Sequence, residues 1–299
     1  MTFEPLRLSL VAPWAPAQGR GDEVVASDAL LAPQTVAATA PPPTLTPMSD
    51  VQTPIPAATL VLLRDRADGP PEILMVERAK AMAFAGGALV FPGGRIDPGD
   101  HVLAAELGLD PEDGPARIAA VRETIEEAGV PVGLDPVPDA ATLAAIRQGL
   151  HDGETLGVLL DRHALALDLA PLTYFARWLP AHAHMRIFDT RFYLARAPEG
   201  AAGATVDATE NVRLFWASAA DVLAECDAGR ATVIFPTRRN LERLAQYASY
   251  ADAVARSLAH PPRTVTPWTE DRDGAPHLCI PDDLDYPVSS EKLTGAMRG

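Results

Sequence analysis

Three glutamates on one short stretch carry the clearest chemistry in this sequence. Residues 118–130 read Ile-Ala-Ala-Val-Arg-Glu-Thr-Ile-Glu-Glu-Ala-Gly-Val. At about 100° per residue, a helix gathers Glu123, Glu126 and Glu127 within an arc of roughly 100°. Ile118, Val121, Ile125 and Ala128 then form an apolar stripe on the opposite side, made to pack on a core. Gly129 stands where a left-handed residue closes a helix. Arg122 precedes Glu126 by one turn and is in reach of its carboxylate. Acids this close repel by a few tenths of a kcal/mol per pair, roughly. The last two also meet the unfavourable end of the helix dipole. A divalent cation would relieve both penalties. A lone glutamate-rich helix is ordinarily a solvated face, but a second stretch upstream changes that reading.

The second stretch is Phe91-Pro92-Gly93-Gly94-Arg95-Ile96-Asp97-Pro98-Gly99-Asp100. Gly93 and Gly94 permit a close approach of backbone to ligand, or the positive φ of a tight turn. Taken with Arg122-Glu123-Thr124-Ile125-Glu126-Glu127-Ala128-Gly129-Val130, it resembles the Nudix box of the Nudix hydrolase superfamily. That box reads Gly, five residues, Glu, seven residues, then Arg-Glu-U-x-Glu-Glu-x-Gly-U, with U a bulky apolar residue. Gly94, Arg122, Glu123, Glu126, Glu127, Gly129 and Val130 match it. Asp100 stands in place of the first Glu and Thr124 in place of the first U. Twenty-one residues, 101–121, separate Asp100 from Arg122 where the box has seven.

The resemblance implies a single α/β/α sandwich of the Nudix type, a mixed sheet flanked by helices, with helical insertions. It implies hydrolysis of a nucleoside diphosphate linked to another moiety, with Mg²⁺ or Mn²⁺ as cofactor. Mg²⁺ takes oxygen ligands and retains several waters, which suits adjacent carboxylates plus substrate phosphates. Glu126 and Glu127 are the expected metal ligands. Glu123 is a further ligand or the general base, oriented by a charge-assisted bond from Arg122. Gly93 and Gly94 are expected against substrate. Glu210 is the candidate for an additional acid outside the box. Arg177, Arg186 and Arg191 are candidates for binding phosphate, although alternate residues of a strand point to opposite faces. His182 and His184 are expected in a solvated loop.

The elements that must position these groups follow from pattern. Ala57–Arg64 and Ile73–Arg78 are β-rich apolar runs separated by turn residues, and Ala88–Phe91 is a short strand leading to the Gly-Gly turn. Residues 101–116 form one insertion, expected as a short helix and loop beside the site. Residues 136–169 form another, with helix-like segments at 140–150 and 154–167, expected as a lid or a homodimer surface. Strands return at 174–179, 186–195 and 211–216. Ser218 is placed to cap a helix over 218–226. Pro236 is expected to begin one long helix reaching His260, with Leu241, Leu244 and Ala248 on its apolar face. The tail, 264–288, holds short strand-like pieces.

The second half narrows the resemblance. Phe175–Pro180, the run from Arg186 to Tyr193, Phe235–Leu244, and the Ile280-Pro281 and Tyr286-Pro287 pairs are similar to the Nudix branch that contains the peroxisomal coenzyme A diphosphatase. Coenzyme A or an acyl-coenzyme A is the implied substrate. A separate coenzyme A signature of other relatives wants Arg where Ala83 stands. A nucleotide-sugar or dinucleotide pyrophosphatase is therefore the alternative, and a non-catalytic nucleotide-binding module of the same fold a further one.

Bulk properties set the limits. A hydrophobic fraction of 47% over 299 residues is ample for a core. A net charge of −15 argues against nucleic acid and anionic membranes as partners. No apolar run approaches the roughly 18 residues of a membrane span. Cys226 and Cys279 are too few for a disulfide framework, which points to a reducing cytoplasm. Residues 1–52, rich in Pro and Ala around 35–47, show no helical or strand period and are expected to be disordered, with Met48 a candidate start. The domain itself is expected over 53–299.

Overall fold

The computed structural model describes residues 53–80, 85–180, 187–198, 201 and 211–293. The expectations for 1–52, Met48, Ala83, His182, His184, Arg186 and Glu210 lie outside the described residues.

The chain opens with β1 (Ile55–Arg64), β2 (Glu72–Arg78), β3 (Leu89–Val90) and β4 (Gly93–Arg95), then α1 (Pro98–Glu106) and α2 (Gly114–Ala128). Next come β5 (Leu134–Asp135), α3 (Ala140–His151), α4 (Leu156–His163) and β6 (Ala166–Leu167). The second half runs β7 (Thr173–Trp178), β8 (Phe188–Arg196), β9 (Asn211–Ser218), α5 (Ala219–Asp227), α6 (Phe235–Leu244) and α7 (Tyr250–Ala259). It ends in β10 (Thr264–Val265), β11 (Trp268–Arg272), β12 (Ala275–Cys279) and β13 (Ser290–Lys292).

One sheet organises these elements, in the order β10-β7-β8-β1-β2-β3, with β4 also on β1 and β9 also on β2. β1 runs parallel to β8 and antiparallel to β2 and β4, so the sheet is mixed. β1 is covered on both faces, which is why its sequence is almost continuously apolar. Ala58, Leu60 and Leu62 join a core with Ile118, Val121 and Ile125 of α2. Val61 and Leu63 join a second core with Leu241 and Leu244 of α6. Helix, sheet and helix thus form three layers, as expected. Truncating a fully buried side chain such as Leu60 or Ile118 to Ala would cost about 2–5 kcal/mol.

The expected long helix over 236–260 is instead two helices, α6 and α7, broken at 245–249. Ser249 starts the second one by accepting from the Asp252 N–H at 3.1 Å. Tyr247, not the exposed Ala248, turns into the core, where its hydroxyl takes the Arg243 Nε–H at 2.9 Å. Of the tail strands, β10 joins β7 in the main sheet, and β11 and β12 form a separate three-stranded sheet with β13. Among the described residues no helix is long and apolar enough to cross a membrane.

Both insertions are built into the first core. The 101–116 insertion is mostly α1 and the start of α2, with Leu103 and Ala104 buried. The 136–169 insertion is closed at its stem by the β5–β6 ladder. Its Ile146, Leu150, Leu156, Leu159 and Leu160 are buried beside α2.

Candidate active site

Helix α2 forms as its pattern predicts. Pro115 sits in its first turn, and Ile118, Val121, Ile125 and Ala128 have no exposed surface. Gly129 closes the helix in the left-handed region at φ 61°, its N–H bonded to the Ile125 carbonyl. Thr124 takes a buried apolar position because its hydroxyl donates to the Ala120 carbonyl at 2.7 Å.

Arg122 is the hub. Its Nε and Nη2 donate to the two carboxylate oxygens of Asp100 at 3.0 and 2.9 Å, a fork of the strong bidentate kind. Nη2 also reaches the Arg95 carbonyl at 2.9 Å, and Nη1 donates to Glu123 Oε1 at 2.9 Å. Glu126 Oε2 lies 3.6 Å from Nη1. Asp100 is only 2% exposed, and its Oδ2 also accepts the Asp97 N–H in the capping box of α1. Burial disfavours the guanidinium charge, but the Asp100 hydrogen bonds and the charges of Glu123 and Asp97 hold its pKa above the ordinary value. The 21 intervening residues therefore fold away as α1 and the first turns of α2 and return Asp100 to the arginine.

Gly93 and Gly94 are needed for close approach to protein. Gly94 pairs with Ala58 of β1, and a Cβ built on it would stand 2.3 Å from Glu123 Oε1. A Cβ on Gly93 would stand 2.5 Å from the Ala58 carbonyl oxygen. The Gly93 N–H donates to Glu127 Oε2 at 3.0 Å. The glycine turn and the helix acids thus touch directly.

This packing perturbs the two acids. Burial pushes the Glu123 carboxyl up to about 7, against the pull of Arg122 and with a further push from Glu126. Burial, then the charge of Glu123, pushes Glu127 up to about 8, although the Gly93 N–H, Asn211 and Arg78 oppose it. Glu126 lies between Arg122 and α3: its Oε2 is the oxygen near Arg122 Nη1, and its Oε1 lies 3.5 Å from Nδ1 of His151, on α3. Among the described residues no three His, Cys, Asp or Glu side chains converge on a common metal position. The donor chemistry nevertheless fits a hard divalent ion, because all donors are carboxylate oxygens and burial holds two of them above the usual carboxylate range.

A cavity of about 140 Å³ adjoins this cluster, lined by Asp97, Asp100, Arg122 and Glu126 on one side and Leu150, Glu154 and Thr155 on the other. A larger one, about 200 Å³, lies by Cys226, Phe235 and Arg238 on the second core's side and touches none of these acids. Size therefore does not locate the chemistry.

The expected arginines divide. Arg177, on β7, is Cα partner of Arg191, on β8, which is partner of Ala58, itself partner of Gly94. One row across the sheet thus carries both arginines to the face that holds Glu123. A bulge between Tyr174 and Ala176 makes this so, placing Tyr174 and Arg177 on the same face despite their odd spacing. Arg177 is already held by Asp189, with Nε–Oδ1 at 2.8 Å and Nη2–Oδ2 at 2.6 Å. Arg191 is half-buried beside Tyr174 and has no carboxylate in ion-pair range among the described residues. Sequence reading missed the partners on α3: Arg147 donates to the Glu126 and Glu127 carbonyls, and His151 faces Glu126. Their i, i+4 spacing on a helix was the available signal.

No family model matches the chain, and no curated protein matches it. Among solved structures, the Nudix hydrolase from Alicyclobacillus acidocaldarius superposes with a TM-score of 0.60 at 29% identity, over 69% of this chain and 97% of that one. The MutT Nudix hydrolase from Burkholderia pseudomallei matches at 18% identity and a TM-score of 0.36, over 64% and 98% of the two chains. The Nudix domain of Shewanella oneidensis NrtR, solved with ADP ribose, matches at 15% and 0.38, over 68% and 92%. The fold is the Nudix α/β/α sandwich, and the first neighbour supports the superfamily without distinguishing its branches.

Proposed function

We propose that the chain is a divalent-metal-dependent hydrolase that splits the pyrophosphate of a nucleoside-diphosphate-linked molecule. The observation that carries this reading is the buried pair Glu123–Glu127, pressed against Gly93-Gly94 and held by the Asp100–Arg122 fork. Burial raises the two carboxylates to about 7 and 8, so a cation beside them would be favoured. A structural acidic face would be solvated instead.

Glu126 and Glu127 would hold Mg²⁺ or Mn²⁺, with Glu123 as a further ligand or as the base. Bound there, the metal supplies neutralisation of pyrophosphate charge and a lowered pKa for water. Arg122 fixes Glu123 by its Oε1, which leaves Oε2 to accept a proton from the attacking water. That water adds to one phosphorus while the bridging P–O bond breaks, giving two phosphate monoesters. Gly93 and Gly94 let substrate and backbone approach the carboxylates closely. Arg191 is the arginine available to a substrate anion, with Arg177 beside it; Arg186 and Glu210 join the proposal on sequence grounds alone.

Coenzyme A or an acyl-coenzyme A is the first substrate class in this reading, on the branch resemblance of the second half. Ala83, where the coenzyme A signature of other relatives has Arg, supports the nucleotide-sugar or dinucleotide alternative. The net charge of −15 supports a small-molecule substrate over nucleic acid, and two unpaired cysteines suit a cytoplasmic setting. The catalytic unit is taken as 53–299, following a separate segment 1–52.

Product analysis tests the reading. With Mg²⁺, coenzyme A should yield 3′,5′-ADP and a phosphopantetheine product. Cleavage of a nucleotide sugar or dinucleotide with coenzyme A untouched would select the alternative. No turnover across the whole panel would contradict the enzyme.

A further inference from the structure

The last turn of helix α2 carries Glu126 and Glu127 and no basic residue. Both the helix dipole and the unsatisfied carbonyls of a last turn favour a cation at that end. The Ile125 carbonyl is taken by the Gly129 N–H at 2.9 Å. The next two carbonyls, of Glu126 and Glu127, accept from Arg147 of α3, Nε at 2.7 Å and Nη2 at 2.9 Å. One turn further along α3, His151 Nδ1 lies 3.5 Å from Glu126 Oε1. The insertion therefore grips the end of the helix at two backbone groups and one side chain.

The grip has a rigid base. The β5–β6 ladder closes the stem of the insertion, and Ile146 and Leu150, flanking Arg147 on α3, are buried in the core of α2. A planar guanidinium bonded to two adjacent carbonyls fixes both the rotation and the height of the turn that carries the acids. A lysine would keep the charge but could not hold both carbonyls in one plane.

We propose that Arg147, assisted by His151, is a positioning residue for the carboxylates of α2, so that the 136–169 insertion works as a fixed part of the active site. This rests on the functional reading above. Arg147 touches neither substrate nor metal in it; it acts by holding Glu126 and Glu127 where they are used.

The test uses the full chain with Arg147→Gln, Arg147→Lys and His151→Gln. Turnover is measured as separate kcat and KM, and Mn²⁺ affinity is titrated without substrate. Arg147→Gln should lose roughly 10–100-fold in kcat and a comparable factor in Mn²⁺ affinity, as supporting residues around a metal do. KM should stay near the wild-type value, and Arg147→Lys should recover part of both losses. If Arg147→Gln retains kcat and Mn²⁺ affinity within about twofold, the scatter of an inert surface change, the proposal is overturned. Should Arg147→Gln fail to fold, the other two variants decide: wild-type kcat and Mn²⁺ affinity in both would overturn it equally. A wild-type chain that neither turns over nor binds Mn²⁺ would instead bring down the functional reading itself.

Discussion

Asp100 and Arg122 meet as a buried two-point fork, at 3.0 and 2.9 Å, although 21 residues lie between them. The fork ties the start of α1 to the middle of α2 and sets Arg122 to hold Glu123.

Breaking that fork should be costly. Asp100→Asn removes the charge from the two-point partner while Glu123 still pairs with Nη1, so the cost should lie at or below the ~3–5 kcal/mol of a fully stranded buried ion-pair member. Chemical denaturation should show a loss approaching that size, and kcat should fall with it. An Asp100→Asn protein as stable as wild type would mean that the pair is dispensable.

The two glycines should fail differently. In Gly94→Ala the new methyl meets the Glu123 carboxylate, so kcat should drop several-fold or more with a modest change in melting temperature. In Gly93→Ala it meets the Ala58 carbonyl, which is backbone and cannot swing aside, so stability should fall by about 1–3 kcal/mol. Equal stability losses in the two would contradict the geometry.

Much of this site was legible in the sequence, for physical reasons. The apolar stripe Ile118, Val121, Ile125, Ala128 and the cap Gly129 are local facts of helix period, and they hold. The bond from Arg122 to Glu123 is equally local. The partnership of Arg122 with Asp100 was not legible, because it depends on how 101–121 folds. Nor was the bulge at Phe175, which turns Tyr174 and Arg177 to one face against strict alternation. The break at 245–249 escaped because Leu241, Leu244 and Ala248 keep helical spacing across it. Only the burial of Tyr247 and the cap at Ser249 distinguish two helices from one.

Stability without metal should depend on pH in an unusual direction. Glu123 and Glu127 have folded pKa values near 7 and 8, above the 4.5 of a free glutamate. Raised values mean that the fold favours the protonated acids. Their contribution is full below about pH 4.5 and is lost as pH rises through 7 to 8. In EDTA, denaturation midpoints should fall from pH 6 to pH 8.5, and Glu127→Gln should flatten the fall. Saturating Mg²⁺ should oppose it, since ligands must be deprotonated to bind. A flat profile in EDTA would show that neither acid is held neutral.

Arg191 and Arg177 should separate in kinetics. Arg191→Ala should raise KM while leaving folding intact, because Arg191 has no carboxylate partner to lose among the described residues. Arg177→Ala strands Asp189 and should lower stability more than it changes KM. Unchanged KM in Arg191→Ala would remove that residue from the substrate site.

The most direct test of the account is Glu127→Gln, measured for turnover with saturating substrate and Mn²⁺. The change keeps size and helix propensity but removes one charge from the buried pair. Electrostatic stabilisation carries most of phosphoryl-transfer catalysis, so kcat should fall by roughly 10²–10³-fold or more, while metal-free stability at pH 8 holds or rises. Wild-type turnover in Glu127→Gln would contradict the assignment of these carboxylates to a metal-dependent hydrolase site.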